Sequence, residues 1–458
     1  MRFPILLTAL AGALSLLPGA GAMAQPASQA TVLQGARIID GQGGAPIENG
    51  SIVIRDGRIE AVQQQGAKAP SGANIVDLRG KTVMPALIAG HAHLGITNGV
   101  KSGAAEITEA NVTRQLQKYM RHGVGTVAVF GTDHDFIYRM RADQRAGKLA
   151  LPTIVTAGHG FGVPHGAPPI AMGMDQVYRP TTIAAVRKDF EKLAAQKPDL
   201  VKIWVDDFGD SKTEKMDPAL YREVIAQAHQ RGLKVVAHVY YLEDAKRLAR
   251  DGVDLFGHSV RDKPVDAELI ALMKEKNIGY IPTLQLDEAF FVYADKPDWM
   301  QSPFFKEALD PGVGEWLASP AYKVKEVSKQ DLANAKANAL ALHKAGIKVG
   351  LGTDSGATIP RIQGFAEHRE LELLTQAGFT PMQALQAATS GNAAILGIDR
   401  ERGTLAAGKQ ADILVLDANP LDDIRNSRKI HAVWLRGAPV AGAVAEGVAE
   451  GVAKAPAR

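Results

Sequence analysis

The 458-residue chain has no cysteine. That absence excludes disulfides, thiolate metal ligands, a cysteine nucleophile and a lipidated N-terminal cysteine together. Charge of one sign is also lacking: 52 Lys and Arg against 49 Asp and Glu give a formal +3, and no basic block of five residues occurs. Nucleic acid and anionic membrane are therefore poor partners. Beyond the N-terminus no run of 18 apolar residues exists, so no later segment reads as a membrane span. What remains, 46% hydrophobic and 22% charged, is the balance of a large globular protein whose chemistry must use His, Asp, Glu, Lys, Ser or Tyr.

The first residues read as an export signal. Arg2 precedes a mostly apolar run from Ile5 to Leu17, and Ala22-Met23-Ala24 stands before Gln25. The order matches a positive n-region, a short h-region and an A-x-A cleavage site. The run is broken by Thr8 and Ser15 and falls short of the roughly 20 residues a spanning helix needs. Residues 1–24 are thus expected to be removed, leaving a periplasmic or secreted protein with no membrane attachment.

Both ends of the rest are strand-like. Short apolar runs from Thr31 to about Ile88 are separated by Gly-rich turns, among them Asn49-Gly50 and Asp56-Gly57, which are hairpin signals. The same texture returns in Asp412–Leu416 and His431–Leu435. Residues 25–84 and 403–445 are expected to form one small β-sandwich, followed by a flexible tail at 446–458. The middle, 85–402, alternates eight Val/Ile-rich runs with helix-length segments: Val83–His91, Gly125–Phe130, Thr153–Ala157, Leu200–Val205, Lys234–His238, Val253–His258, Ile278–Thr283 and Lys348–Gly352. Without a G-x-G-x-x-G after the first, eight such units favour an α/β fold of the (β/α)8 TIM-barrel type over a doubly wound sheet. Two long connections, 158–180 and 285–328, are expected to cover the mouth as lids.

Reactive residues in such a barrel sit at the C-terminal ends of strands. Those ends carry His91 and His93, Lys202, His238, His258 and Asp354. The two-residue spacing of His91 and His93 turns both imidazoles to one side of an extended chain. Four imidazoles and a carboxylate suit zinc or a similar divalent metal. Lys202 lies in Leu200-Val201-Lys202-Ile203-Trp204, where both faces of a strand are buried. It must be neutral there, because desolvation and nearby cations lower a lysine's pKa. A neutral amine reacts with carbon dioxide to give a carbamate able to bridge two metal ions.

These motifs resemble the amidohydrolase superfamily over nearly the whole mature chain. The matching runs are Val83-Met84-Pro85-Ala86-Leu87-Ile88-Ala89-Gly90-His91-Ala92-His93, Val201-Lys202-Ile203, Ala237-His238, Gly257-His258, Gly352-Thr353-Asp354-Ser355, Ala388-Thr389-Ser390-Gly391-Asn392-Ala393-Ala394, Gly403-Thr404 and Ala411–Asp417. Ala86 and Ala89 depart from the Gly and Asp more usual in the family, and neither is a ligand. The resemblance implies two divalent ions: one held by His91, His93 and Asp354, the other by His238 and His258, with carbamylated Lys202 bridging. Within the superfamily the chain is most similar to imidazolonepropionase-like proteins and Xaa-Pro dipeptidases, through His238-Val239-Tyr240 and the glycine-rich stretch after strand three. This implies hydrolysis of a C–N bond, in a dipeptide or N-acyl amino acid, by a hydroxide between the two metals, with Asp354 as proton shuttle.

Tyr240, two residues past His238, is expected to face substrate. His134, His159 and His165 lie at the same end within substrate reach, whereas His122, His229 and His343 precede glycines at helix C-termini and read as structural. Arg179, Arg261, Lys263 and Arg361 lie at the correct end to hold a substrate carboxylate, although surface solvation is expected of any one of them. The same ligand set suits lactone or phosphotriester hydrolysis; a mononuclear deaminase leaves Lys202 unexplained, and a non-catalytic periplasmic binding protein leaves six ligands without a use. Association with further copies of the chain stays open.

Overall fold

The computed structural model describes residues 29–170, 176–209 and 213–442. The expected signal peptide and C-terminal tail lie outside them. Strands from both ends of the chain meet in one eight-stranded sheet. Thr31–Ile38 pairs antiparallel with Ile47–Arg55 and parallel with Asn74–Asp77 and Thr82–Pro85. Thr82–Pro85 then pairs antiparallel with Ile413–Leu416, which continues to Ile430–Leu435 and Ala438–Gly442. Leu33, Ile38, Ile52, Ile59, Val83, Ile413, Val415 and Trp434 fill its apolar core.

Of the two hairpin signals, Asp56-Gly57 is a turn, with φ positive at both residues, and Ile47–Arg55 pairs back through it to Arg58–Gln63. Asn49-Gly50 is not. It lies inside Ile47–Arg55, where the register with Thr31–Ile38 shifts. Asn49 supplies φ 51°, a left-handed bulge position that asparagine tolerates. A Cβ on Gly50 would come within 2.8 Å of Ile38 and Ile47 side-chain carbons.

The expected first strand, Val83–His91, is two strands. At Ala86 the chain changes partners: its N–H donates to Asp412 in the end sheet, and the next, Leu87, donates to Gly123. From there the middle is α/β and barrel-like. Leu87–Ala92, Val124–Val129 and Thr153–Thr156 run parallel, as do Gly160–Phe161, Val201–Trp204, Val235–His238, Leu255–Phe256 and Gly279–Tyr280. Hydrogen bonds carry on between the groups, from Asp199 N–H to Thr156, Gly350 N–H to Tyr280 and Gly90 N–H to Leu351. Helices between the strands start where their sequences supply caps. Thr182 Oγ1 accepts from Ala185 N–H before Ile183–Ala195, Asp217 precedes Pro218 at the first position of Pro218–His229, and Asp266 accepts from Leu269 N–H before Ala267–Glu275.

The connection expected as a long lid loop is helical. It holds Leu284–Glu288, Pro303–Ala308 and Val313–Ala318, with a core of its own around Tyr293, Phe305, Leu317 and Tyr322 that reaches Ile362 and Phe365. Its aromatic residues give it apolar surface to bury, which a solvated loop lacks. No helix among the described residues is long and apolar enough to cross a membrane.

Asn392, the residue that follows a π-helical turn at Ala387–Gly391, fastens the strand Leu87–Ala92 to the segment around Leu351, where the expected strand Lys348–Gly352 is reduced to an isolated bridge at Val349. Its Nδ2 donates to Ile88 and Leu351 carbonyls and its Oδ1 accepts from Leu351 N–H. Asn392→Ala removes three hydrogen bonds to buried backbone groups and leaves the Leu351 carbonyl only its bond from Gly90 N–H, so stability to chemical denaturation should fall by about 2–4 kcal/mol. An unchanged denaturation midpoint would show that the strand and the Leu351 segment do not depend on this side chain.

Candidate metal centre

The strand ends bring the six expected ligands to one place. Register sets Trp204 opposite His238 and Lys202 opposite Val236. The Asp354 loop is stitched to the first strand: Thr353 and Asp354 N–H groups both donate to the His91 carbonyl, and His93 N–H donates to Ser355. All six are buried; His93, the most open, is 7% exposed. His91, His93, His238, His258 and Asp354 line one cavity of about 320 Å³. Lys202 does not line it. It is fully buried, its Nζ 5.4 Å from the Trp204 ring.

Asp354 Oδ1 is 2.9 Å from His93 Nε2 and 3.3 Å from His91 Nε2. Ligand atoms of His91, His258 and Asp354 all lie within 4.8 Å of one another. The rings of His91 and His258, and of His258 and His238, pack at 4.4 and 4.2 Å between centroids. Outer hydroxyls orient two of them. Thr132 Oγ1 donates to the Gly131 carbonyl at 2.6 Å and lies 3.3 Å from His93 Nδ1. A hydroxyl that has given its proton can only accept, so Nδ1 carries hydrogen and Nε2 presents its lone pair towards Asp354. Thr283 Oγ1 shares a hydrogen bond with His258 Nδ1 at 2.8 Å.

Burial dominates the electrostatics. It pushes His91 down to about 3, against the pull of Asp354, and holds His238 and His258 well below the ordinary imidazole value. Burial likewise lowers Lys202 to about 7, although Asp354 and Asp206 act to raise it. Burial works to raise Asp354, but the Arg361 guanidinium beside it works the other way, and the carboxylate is held well below its ordinary range. The result is a set of neutral imidazoles around an anion. His91 Nδ1, both ring nitrogens of His238, and Lys202 Nζ have no hydrogen-bond partner. Buried polar atoms without partners are costly. Lone pairs converging on a carboxylate are the donor set a divalent cation satisfies.

Other expected residues are placed as follows. Tyr240 lines the cavity, and its hydroxyl donates to Asp331 at 2.9 Å. His159 is not brought to the cavity wall; it packs on Tyr178 with Nε2 3.8 Å from Asp135. His122 caps Glu109–Arg121, and His229 and His343 end their helices as expected. Arg179 is spent on the carbonyls of Val163, Gly166 and Pro168. Surface solvation fails for two arginines. Arg261 and Arg361 are buried in the cavity wall, Arg361 paired with Asp354 and Arg261 3.6 Å from Asp287.

Asp206, Asp287 and Asp331 were not among the expected residues. Asp206 has Oδ1 3.3 Å from His238 Nε2 and is raised to about 6 by burial. It stands just past the strand that carries Lys202, so the strand-end rule could have found it. Asp287 and Asp331 come from lid and helix, where no period marks a site.

Known proteins resemble this arrangement. The profile of the amidohydrolase family matches residues 82–440. A solved structure of a Bifidobacterium longum protein, provisionally described as a prolidase, superposes with a TM-score of 0.73 at 29% identity, over 93% of this chain and 100% of that one. The ochratoxinase of Aspergillus niger is 26% identical over 230 residues, 49% of this chain but only 41% of that protein. The 5′-deoxyadenosine deaminase of Methanosarcina mazei is 24% identical over 81% of this chain and 80% of its own length. The chain belongs to the amidohydrolase family, whose members act as hydrolases on carbon–nitrogen bonds and typically bind divalent metals.

Burying Lys202 costs stability, and the sign can be tested. Its folded pKa lies below its unfolded one, so between about pH 7 and 10.5 the unfolded chain holds a proton that the folded chain does not. Stability of the metal-free protein should therefore rise with pH across that window. In carbon-dioxide-free buffer, Lys202→Met should flatten the rise and stabilise the metal-free protein at pH 7 by a few kcal/mol, while lowering its divalent-metal content. Denaturation across pH and metal analysis check both; a variant that is destabilised at pH 7 and keeps its metal would refute this account.

Proposed function

We propose that this member of the amidohydrolase family is an exported hydrolase of small amides that carry a free carboxylate, dipeptides or N-acyl amino acids, and that it works with two divalent ions, zinc being the first choice. His91, His93 and Asp354 would hold one ion, His238 and His258 the other, and Lys202 both, as a carbamate. The observation that carries the reading is a single cavity in which neutral imidazoles face an ionised carboxylate beside two buried guanidinium groups. Bound there, the ions would polarise the scissile carbonyl and make water a nucleophile near neutral pH.

The chain's own residues supply recognition and proton transfer. Arg261 Nε and Nη1 have no hydrogen-bond partner, and a forked cation in a low-dielectric wall favours a substrate carboxylate. Asp354 takes the proton from water and gives it to the leaving nitrogen. Its pairing with Arg361 makes it a weak base but, once protonated, a strong acid. Tyr240, its phenol raised chiefly by burial and by the bond to Asp331, stays protonated and turns its hydroxyl from Asp331 to the substrate. The fold that carries this is read as a closed (β/α)8 barrel over 85–402 with a β-sandwich from 25–84 and 403–445. Residues 1–24 are read as the export signal, so the mature protein should begin at or near Gln25.

A panel of N-acyl amino acids, Xaa-Pro and other dipeptides, their methyl esters, lactones and phosphotriesters tests the class. Turnover should favour C–N substrates with a free carboxylate over their methyl esters, lactones and phosphotriesters, and Arg261→Met should raise KM for the free acids at least tenfold without the same effect on their methyl esters. On the best substrate Asp354→Asn should cost roughly 10²–10⁴-fold in kcat. Tyr240→Phe should lower kcat/KM about tenfold with folding intact. Preference for lactones or phosphotriesters, or indifference to the carboxylate, would overturn the substrate reading.

A further inference from the structure

Four residues beside the ligand cluster, Thr132, Phe208, Thr283 and Asp354, hold left-handed backbone conformations that side chains with a Cβ seldom adopt, and the last two sit in loops bonded to one helix. Asp354 has φ 56° and Thr283 has φ 52°. The left-handed region is rarely occupied by non-glycine residues, and least of all by β-branched ones; such strain persists where the surroundings over-determine it. Asp354 carries a ligand oxygen, and Thr283 carries the hydroxyl that orients His258. What over-determines both is one helix, Phe365–Ala377.

That helix presents Glu367 and Glu370, three residues apart and so on one face. Glu367 Oε1 accepts from Thr353 Oγ1 at 2.7 Å and Ser355 Oγ at 2.8 Å, the two neighbours of Asp354. Its Oε2 accepts from Gly364 N–H at 2.8 Å and so caps its own helix. Gly364 has φ 85°, and a Cβ there would meet the His122 ring at 2.7 Å. Glu370 accepts from the N–H groups of Leu284, at 2.8 Å, and Gln285, at 2.6 Å, the two residues that follow Thr283. Both carboxyls are fully buried. Neither has a cationic partner among the described residues, in contrast to Glu288 and Glu372, which pair with Arg369. A buried carboxyl with no counter-charge is expensive to keep. Here each one does the same thing, holding a loop that turns the wrong way for its residues.

We infer that Glu367 and Glu370 are positioning residues: from one helix they fix the left-handed geometry of Asp354 and Thr283, and through these the orientation of the Asp354 and His258 ligands. The inference rests on the metal reading for its consequence but not for its geometry. Glu367 grips hydroxyls on either side of Asp354, so the backbone there cannot leave its left-handed conformation without straining both bonds, while Arg361 pairs with the carboxylate itself. Glu370 grips backbone rather than side chains, so Thr283 keeps its place whatever residue follows it.

The test uses the full chain with Glu367→Gln and Glu370→Gln, which keep size and exchange one acceptor for a donor. Ser427→Ala serves as the control, since it removes another buried hydrogen bond to the same helix, the one from Ser427 Oγ to His368 Nδ1 at 2.9 Å. Amide hydrogen exchange on metal-free protein should quicken at least tenfold at Ser355 and Gly364 in Glu367→Gln only, and at Leu284 and Gln285 in Glu370→Gln only. Loaded with cobalt(II), both variants should show shifted visible absorption and at least tenfold weaker cobalt binding, while Ser427→Ala matches the parent. Parent-like exchange and spectra in both glutamine variants, or equal changes in Ser427→Ala, would overturn the inference. A parent chain that takes up no cobalt would instead count against the metal reading, and exchange alone would then decide the positioning role. Should Glu367→Gln not fold, Thr353→Val and Ser355→Ala remove the same donors singly and should quicken exchange at the Asp354 loop; no change in either would overturn the role of Glu367.

Discussion

Desolvation of Lys202 is the constraint on which the rest of the site depends. An ammonium enclosed beside the Phe130 and Trp204 rings, with no hydrogen-bond partner, would be among the costliest groups in the molecule, and burial lowers that cost by favouring loss of the proton. The same burial strips protons from His91, His238 and His258. Among the expected ligands the group that keeps its charge is Asp354, with Arg361 beside it. A low-dielectric pit thus sorts the expected ligands into neutral donors and one anion, as a cation-binding site requires.

The layers around this pit explain its shape. Strands set the ligand positions, and threonine hydroxyls turn two of the rings. The Phe365–Ala377 helix holds the loops, and the helical lid brings Asp287 within reach of Arg261. The end sheet enters through the hand-over at Ala86, where one chain passes from the sheet to the strand that bears His91. Outer groups of this kind commonly matter to a metal site nearly as much as its ligands.

Much of this was legible in the sequence because its signals are local. Alternating runs gave the α/β order, Asp56-Gly57 gave a hairpin, and the ligands stood at strand ends where such folds place chemistry. Asn49-Gly50 misled, since a turn dipeptide and a left-handed bulge ask for the same residues. The rest is hidden because it depends on distance in space. Arg261 and Arg361 look like surface arginines until a lid with its own aromatic core encloses them. Glu367 and Glu370 read as polar residues on a helix, and nothing in their spacing tells that they meet Thr353 and Leu284 rather than water. His159 shows the converse: a residue at the correct strand end whose ring packs on Tyr178 away from the cavity wall.

The central claim is that these six side chains form one metal centre. The most direct measurement is a crystallographic anomalous difference map of protein loaded with zinc in bicarbonate buffer. The account predicts two peaks in the cavity, one among His91, His93 and Asp354 and one beside His238 and His258, with density continuing past Lys202 Nζ. A cavity without peaks, and a Lys202 side chain ending at its amine, would contradict it.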